Sequence, residues 1–289
     1  MEWFPLALLA ALSLATADAL TKKFFSRLSA YEMGITRLAY TIPWLALALI
    51  FIPRPHLDRT FFLSIAAALP LEALAFISYM RAIKVSPLSL TLPFLSFTPV
   101  FIIFTGRIIL GENITSGGLA GILCIVSGAY VLNISQMKTG MLEPIRAIFK
   151  EPGSRLMILV SFLYSITSTL GKLGIIHSSP LFFGISYYLI FTFFMLSFLP
   201  FMRGAKAARL VSNPFAGMAV GASMAMMVFS HMLSISMIEA AYMIAIKRTS
   251  IVFGVLYGAW LFKETKITER LTGALIMIIG ALLIGWFGH

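Results

Sequence analysis

Ten long apolar stretches constrain this sequence more than any other feature. Lipid offers no water to unpaired backbone groups, so stretches of about 20 apolar residues that cross a bilayer fold as helices. Barrel strands would alternate apolar and polar side chains, and these stretches do not. The sequence predicts an all-α integral membrane protein with ten transmembrane helices, at residues 3–21, 32–52, 60–80, 87–106, 114–133, 155–174, 181–202, 213–236, 240–262 and 267–287.

Composition agrees with this fold class. Hydrophobic residues make up 60% of the 289 residues and charged residues 11%. Soluble domains contain about 45–50% apolar and about 25% charged residues, so a soluble enzyme, a disordered chain and a disulfide scaffold are excluded. We interpret the first stretch as a structural helix because no basic residue precedes it, unlike a signal peptide. The expected location is the cytoplasmic membrane, as a multi-pass protein.

The two halves of the sequence repeat each other. At an offset of 152 residues, matching residues occupy the same places in their helices: Gly106 and Gly258, Glu112 and Glu264, Gly121 and Gly273, Gly128 and Gly280. Each half has five helices, an odd number, so the second half enters the membrane upside down. Inverted repeats are typical of secondary transporters, which bind substrate near the midplane. We predict repeats at 1–133 and 155–289, with a linker at 134–154 that has the charge pattern of an interfacial helix.

The net charge of +11 is distributed unevenly between the two sides of the membrane. Only Arg54, Arg59 and Arg107 lie in the gaps on the side of the termini, and the opposite gaps hold most of the other basic residues. The positive-inside rule then places both termini outside the cytoplasm. We attribute the basic character to these loops, and no nucleic-acid partner is expected.

The end of each half carries a family pattern. A helix is followed by a short acidic turn, Gly111-Glu112 or Lys263-Glu264, and then by a glycine-rich helix. With Lys22 and Arg37 in the first helix pair, the chain resembles the EamA-type branch of the drug/metabolite transporter superfamily. The resemblance implies a ten-helix carrier driven by ion or exchange gradients, with both termini in the cytoplasm. The substrate stays open, because that superfamily carries amino acids, drugs, nucleotide sugars and phosphorylated sugars.

One segment resembles a narrower group. The stretch IKRTSIV at 246–252 is similar to the ninth-helix Lys-Arg segment of the triose-phosphate/phosphate translocators, in which the pair binds the substrate phosphate. Those carriers also have a lysine in the fourth helix, and the matching position here is Leu95.

The strongest candidate site is the pair Lys247 and Arg248, which lies deep within the ninth helix. A charge at that depth costs roughly 2.5–3.5 kcal/mol on insertion scales, so the pair requires anionic partners or an aqueous cavity. The equivalent residues of the first repeat are Leu95 and Ser96, so the fold does not require charge there. We predict that the pair anchors an anionic group of the substrate, with a structural pairing to Glu72, Glu239 or a broken helix end as the alternative.

Five further side chains complete the predicted site. Lys172, Arg37, Tyr79 and His231 are expected to line the substrate path, and Tyr79 and His231 are equivalent at an offset of 152. For Lys172 the expected role is a salt bridge or a ligand contact, with snorkelling as the alternative. For Arg37 the alternatives are snorkelling or carboxylate pairing, and for Tyr79 and His231 packing. Glu72 lies mid-span and is the candidate for proton coupling, or else a fixed partner of a nearby cation.

The sequence thus predicts a secondary active transporter of a small, anionic organic metabolite that works by alternating access. Two alternatives stay open: a flippase for a phosphate-bearing lipid or lipid-linked head-group, and an amino-acid or drug exporter. No nucleophile–base set or metal cluster is apparent, so an enzyme is not expected, nor is a cofactor or metal. The expected partners are the solute, membrane lipid and a coupling proton or counter-substrate, for a monomer or homodimer.

Overall fold

The computed structural model describes residues 2–85, 94–134, 152–199, 213–262 and 268–288. Within these ranges the regular structure is entirely helical. The first repeat contains α1 (Trp3–Phe25), α2 (Ala30–Phe51), α3 (Arg59–Val85), α4 (Thr98–Leu110) and α5 (Ser116–Ile134). The second contains α6 (Pro152–Ile176), α7 (Pro180–Ser197), α8 (Pro214–Met237), α9 (Ala240–Lys247), α10 (Ser250–Phe262) and α11 (Thr268–Phe287).

These helices confirm the predicted fold class. In the described ranges, seven helical stretches are long and apolar enough to span a membrane, and three shorter apolar helices occupy the remaining predicted positions. The ninth span departs from the prediction of one continuous helix at 240–262, because it is broken into α9 and α10. The first helix runs to Phe25 rather than to residue 21. The start of the fourth helix, most of the linker at 134–154, and Glu264 lie outside the described residues.

Local sequence signals explain where several helices begin and end. Ser29 and Glu32 form a capping box at the start of α2, where Ser29 Oγ accepts from the Glu32 backbone N–H at 3.3 Å. Proline begins α6, α7 and α8, as expected at a position whose N–H has no helical partner. Gly111 ends α4 with a φ of 69°, a left-handed conformation that glycine adopts without strain.

The packing of α5 against α11 shows that the repeats are inverted. A Cβ added to Gly121 would lie 2.7 Å from the Gly280 carbonyl oxygen, and one added to Gly128 would lie 2.7 Å from that of Gly273. The partner number falls as the first number rises, so the two helices are antiparallel. Because α5 and α11 are equivalent helices of the two repeats, the repeats have opposite orientations in the bundle. The absence of Cβ atoms lets the two backbones approach closely.

The remaining contacts follow the same pseudo-two-fold relation. The extensive packing of α3 on α6 is matched by that of α8 on α1. Gly34 of α2 lies against Met80 of α3, and Gly184 of α7 lies against Met232 of α8. In this arrangement, residues of α3, α6, α8 and α9 together surround the middle of the bundle, where the site is found.

Candidate functional site

A cavity of about 370 Å³ lies between the repeats, among residues of α1, α2, α3, α6, α7, α8 and α9. Its volume is within the range of small-molecule sites. All seven side chains named by the sequence analysis line it: Lys247, Arg248, Lys172, Arg37, Tyr79, His231 and Glu72. The structure therefore brings the predicted residues together from five helices and the turn after α9, and their part in substrate binding stays a prediction.

The break in the ninth span explains how two neighbouring residues reach one cavity. Successive side chains on a regular helix point about 100° apart. Here α9 ends at Lys247, Arg248 and Thr249 form a turn, and α10 begins at Ser250. The Arg248 N–H donates to the carbonyls of both Ile244 and Ala245, at 3.2 and 3.0 Å, so the last turn is tightened.

The first repeat has a matching turn. Ser96 and Phe97 form a turn immediately before α4, and they stand 152 residues before Arg248 and Thr249. Discontinuous helices at equivalent places are typical of transporter sites near the midplane. The turn after α9 also contacts the first residue of α4, because Arg248 Nη2 donates to the Thr98 hydroxyl at 2.9 Å.

The cationic pair has polar neighbours but no carboxylate partner. Lys247 Nζ lies 3.5 Å from His231 Nδ1. Among the described residues, no carboxylate oxygen lies within 4.0 Å of Lys247 or Arg248, so the alternative of a direct ion pair with Glu72 or Glu239 is not observed. The buried Arg248 Nε has no hydrogen-bond partner in the described part of the chain. Unpaired cationic groups facing a cavity are suited to an anionic ligand.

Glu72 has a different neighbour from those considered at first. Its side chain lines the cavity together with Thr167 of α6. It forms no ion pair within 4.0 Å with Arg37 or Lys247, although it is close enough to Lys247 for an electrostatic interaction. Glu72 is therefore an ionisable group that the cavity can reach, as a coupling residue would require.

Arg37 is paired with a carboxylate that the sequence analysis did not name. Arg37 Nη1 forms a salt bridge with Asp18 of α1, and Arg37 Nε donates to the Met224 sulfur at 2.9 Å. Asp18 also lines the cavity, and its side chain is 57% exposed. A carboxylate within an apolar stretch was the sequence signal for this residue. It was passed over because Asp18 lies close to the end of the predicted first helix at 3–21.

Lys172 forms a second ion pair, which lies on the side of the membrane that carries the two termini. Its ammonium group binds Glu112, from the turn between α4 and α5, and donates to the Ile238 carbonyl at 2.5 Å. Glu112 also accepts from the Ala240 N–H at 3.0 and 3.1 Å, at the start of α9. A salt bridge is one of the two roles that the sequence analysis expects for Lys172. We call these four residues the terminal latch, because they join α6, the α4–α5 turn and the beginning of α9.

A third polar contact closes the same side. His177 Nδ1 lies 2.6 Å from Asp58 Oδ2, which joins the α6–α7 connection to the α2–α3 connection. The hydrogen bond from the Phe61 N–H, at 2.9 Å, and the nearby His177 hold the pKa of the Asp58 carboxyl below its ordinary value. Successive spans alternate in direction, so these connections and the terminal latch share the face of the two termini. These contacts hold the helix connections together on that face, which we call the closed face, whereas Asp18 is exposed.

The described residues contain no group of three or more His, Cys, Asp or Glu side chains placed to hold a metal ion. The His231 ring is 3.5 Å from the Lys247 ammonium group. Cys124 lies on α5, outside the cavity lining. Aromatic side chains are more prominent than the sequence analysis recognised. Tyr164 of α6 and Tyr187 of α7 both line the cavity.

Comparison with known proteins gives two matches. Residues 1–134 match the model of the EamA-like transporter family. A solved crystal structure, whose protein is 14% identical in sequence, superposes with a TM-score of 0.70 and covers 99% of this chain and 96% of the other. At that identity the superposition establishes the fold alone. A comparison with curated proteins found no match.

Proposed function

Because residues 1–134 match the EamA-like transporter family of the drug/metabolite transporters, we propose that the chain is a secondary active carrier of a small anionic organic metabolite. The observation that carries this proposal is that Lys247 and Arg248 have no carboxylate within 4.0 Å among the described residues. Lys247 and Arg248 face one cavity at a helix break, and no carboxylate of the described residues neutralises them. Burial of two such charges is costly, so an anionic solute in the cavity would stabilise them.

The division of the cavity wall supports transport by alternating access. Its lining comes from both inverted repeats, and the terminal latch joins elements of both at one face. Rocking of the repeats would break these contacts and open the closed face, while the opposite face closes. Glu72 is the proposed proton-coupling residue, because it shares the cavity with the cationic pair.

The proposal is tested by ligand-induced thermal stabilisation of the purified protein in detergent. A ligand that binds the folded state alone stabilises it by about 2.7 kcal/mol at a concentration of 100 times its Kd. The panel contains amino acids, dicarboxylates, sugar phosphates, nucleotides and anionic lipids. We expect one class of anion to raise the melting temperature of the wild type and to have no effect on the Lys247→Ala, Arg248→Ala double variant.

The matched control is Lys23→Met, which removes one exposed cation outside the cavity and should preserve the response. A response that survives the double variant, or one given only by neutral solutes or cations, contradicts an anion site at this pair. A response confined to anionic lipids would favour the flippase instead.

A further inference from the structure

The charges around the cavity limit the charge of its ligand. Asp18 and Arg37 neutralise each other, as do Glu112 and Lys172. The remaining charged side chains of the lining are Lys247, Arg248 and Glu72. In the protonation state in which Lys247 and Arg248 are charged, Glu72 has released its proton and His231 is neutral, these three sum to one positive charge, so a single negative charge on the ligand balances that state of the site. A dianionic phosphate ester would leave a net negative charge in a largely apolar surrounding, which is unfavourable.

One wall of the cavity is aromatic. Phe183, Tyr187 and Phe191 are spaced four residues apart on α7, so their rings occupy one face of that helix, and all three belong to the cavity wall. Phe183 and Phe191 are only 1% and 6% exposed, so Tyr187 presents the accessible ring and the other two support it. Neighbouring rings are nearly parallel, at 8° and 5°, with centroids 5.7 and 6.4 Å apart. We call these three residues the aromatic wall.

The aromatic wall and the cationic pair share one cavity. Tyr187 of α7, Tyr164 of α6 and Arg248 all line it. The Tyr187 hydroxyl is buried without a hydrogen-bond partner among the described residues. A ligand held at Arg248 therefore has the Tyr187 ring in the same cavity.

Resting on the proposed function, we propose that the solute is a monocarboxylate bearing a planar aromatic ring, with the ring packed on the aromatic wall. The carboxylate binds Lys247 and Arg248 and supplies the one negative charge that the cavity lacks. The ring makes offset-stacked or edge-to-face contacts, which stabilise aromatic pairs beyond the area that they bury.

A matched set of probes tests both halves of this proposal on the purified protein. The probes are 3-phenylpropionate, 3-cyclohexylpropionate, phenyl phosphate and 3-phenyl-1-propanol, with affinities taken from calorimetric titration. We expect 3-phenylpropionate to bind roughly 3- to 10-fold more tightly than its cyclohexyl analogue, from the strength of an aromatic pair. Hydrophobic burial alone predicts no such preference, because the saturated ring has at least as much apolar area. Phenyl phosphate should bind more weakly than 3-phenylpropionate.

Variants of the aromatic wall supply the controls. Tyr187→Leu should bind both carboxylates with similar affinity, whereas Tyr187→Phe keeps the ring and should keep the preference for the phenyl probe. Melting temperatures without ligand show whether each variant is folded, and Tyr187→Phe keeps the test valid if Tyr187→Leu does not fold.

The outcomes separate this inference from the proposed function. Equal or tighter binding of the cyclohexyl probe overturns the aromatic assignment, and tighter binding of phenyl phosphate overturns the single charge, while both leave an anion site in place. If 3-phenyl-1-propanol binds as tightly as the carboxylate, the anion site itself is wrong, and this inference fails with it.

Discussion

The terminal latch offers a quantitative test of how the closed face is held together. The side chains of Lys172 and Glu112 are only 12% and 10% exposed, so loss of either one leaves a nearly buried charge without its counter-ion. Removing one member of a buried ion pair typically costs about 3–5 kcal/mol. Lys172→Met should fall near the lower value, because Glu112 keeps the Ala240 N–H and the favourable N-terminus of α9. Glu112→Ala should cost close to the upper value of about 5 kcal/mol, because it leaves both the Lys172 ammonium group and the Ala240 N–H without their partner.

The double variant Lys172→Met, Glu112→Gln removes both charges and keeps an oxygen that can accept from Ala240. Replacing a buried pair with neutral groups is often close to neutral in stability, so we expect it to lie within about 1–2 kcal/mol of the wild type. The free energies of unfolding are measured by SDS titration in mixed micelles. Lys23→Met is the control and should change stability by less than about 0.5 kcal/mol, as is usual for an exposed residue.

The double-mutant cycle is the decisive comparison. With a loss of about 3 kcal/mol for each of Lys172→Met and Glu112→Gln and of about 1–2 kcal/mol for the double variant, the cycle should show a coupling energy of about 4 kcal/mol, at or above the upper end of the usual range for residues in direct contact. A coupling energy near zero would refute the reasoning, because it would mean that the ion pair does not stabilise the closed face.

Two other predictions concern ionisable groups outside this latch: Glu72 in the cavity and Asp58 in the connection between α2 and α3. In proteoliposomes, Glu72→Gln should still exchange labelled solute but lose the response of transport to an imposed proton gradient; an unchanged response would exclude Glu72 as the coupling residue. At the surface, the lowered pKa of Asp58 means that its stabilisation is complete above the unfolded pKa and is lost as the pH falls through the lower folded pKa. Thermal melting below about pH 4 should therefore show a loss of stability in the wild type that Asp58→Asn lacks, and parallel curves would contradict this assignment.

Much of the fold could be predicted from the sequence because lipid allows few solutions. Apolar stretches of this length must form helices in a bilayer, and matching glycines at a constant offset indicate a repeat. The pairing of Gly121 with Gly280 and of Gly128 with Gly273 shows why those glycines recur: α5 and α11 approach so closely that a Cβ added to either glycine of α5 would lie 2.7 Å from a carbonyl oxygen of α11. A broken helix end was an alternative for the cationic pair, but the predicted helix at 240–262 did not include the break at Arg248 and Thr249, because apolar residues continue on both sides and hydropathy does not register one tightened turn.

The candidate site was accessible to sequence reasoning to a lesser degree. Charged side chains at membrane depth are costly, so Lys247, Arg248 and Glu72 stood out without any structure. The partners of cations were harder to identify. Asp18 and Glu112 lie 19 and 60 residues from the cations that they bind, and only the packing of helices determines such distances.

The sequence by itself determined that this chain is a bundle of membrane helices in two inverted halves, because the cost of exposing peptide groups and charges to lipid depends on local composition. The tertiary structure alone decided which charges are neutralised and which are not. Ion pairing acts across a few ångströms between helices that are distant in sequence. It occupied Arg37 and Lys172 with carboxylates and left Lys247 and Arg248 facing the cavity, within reach of the aromatic wall.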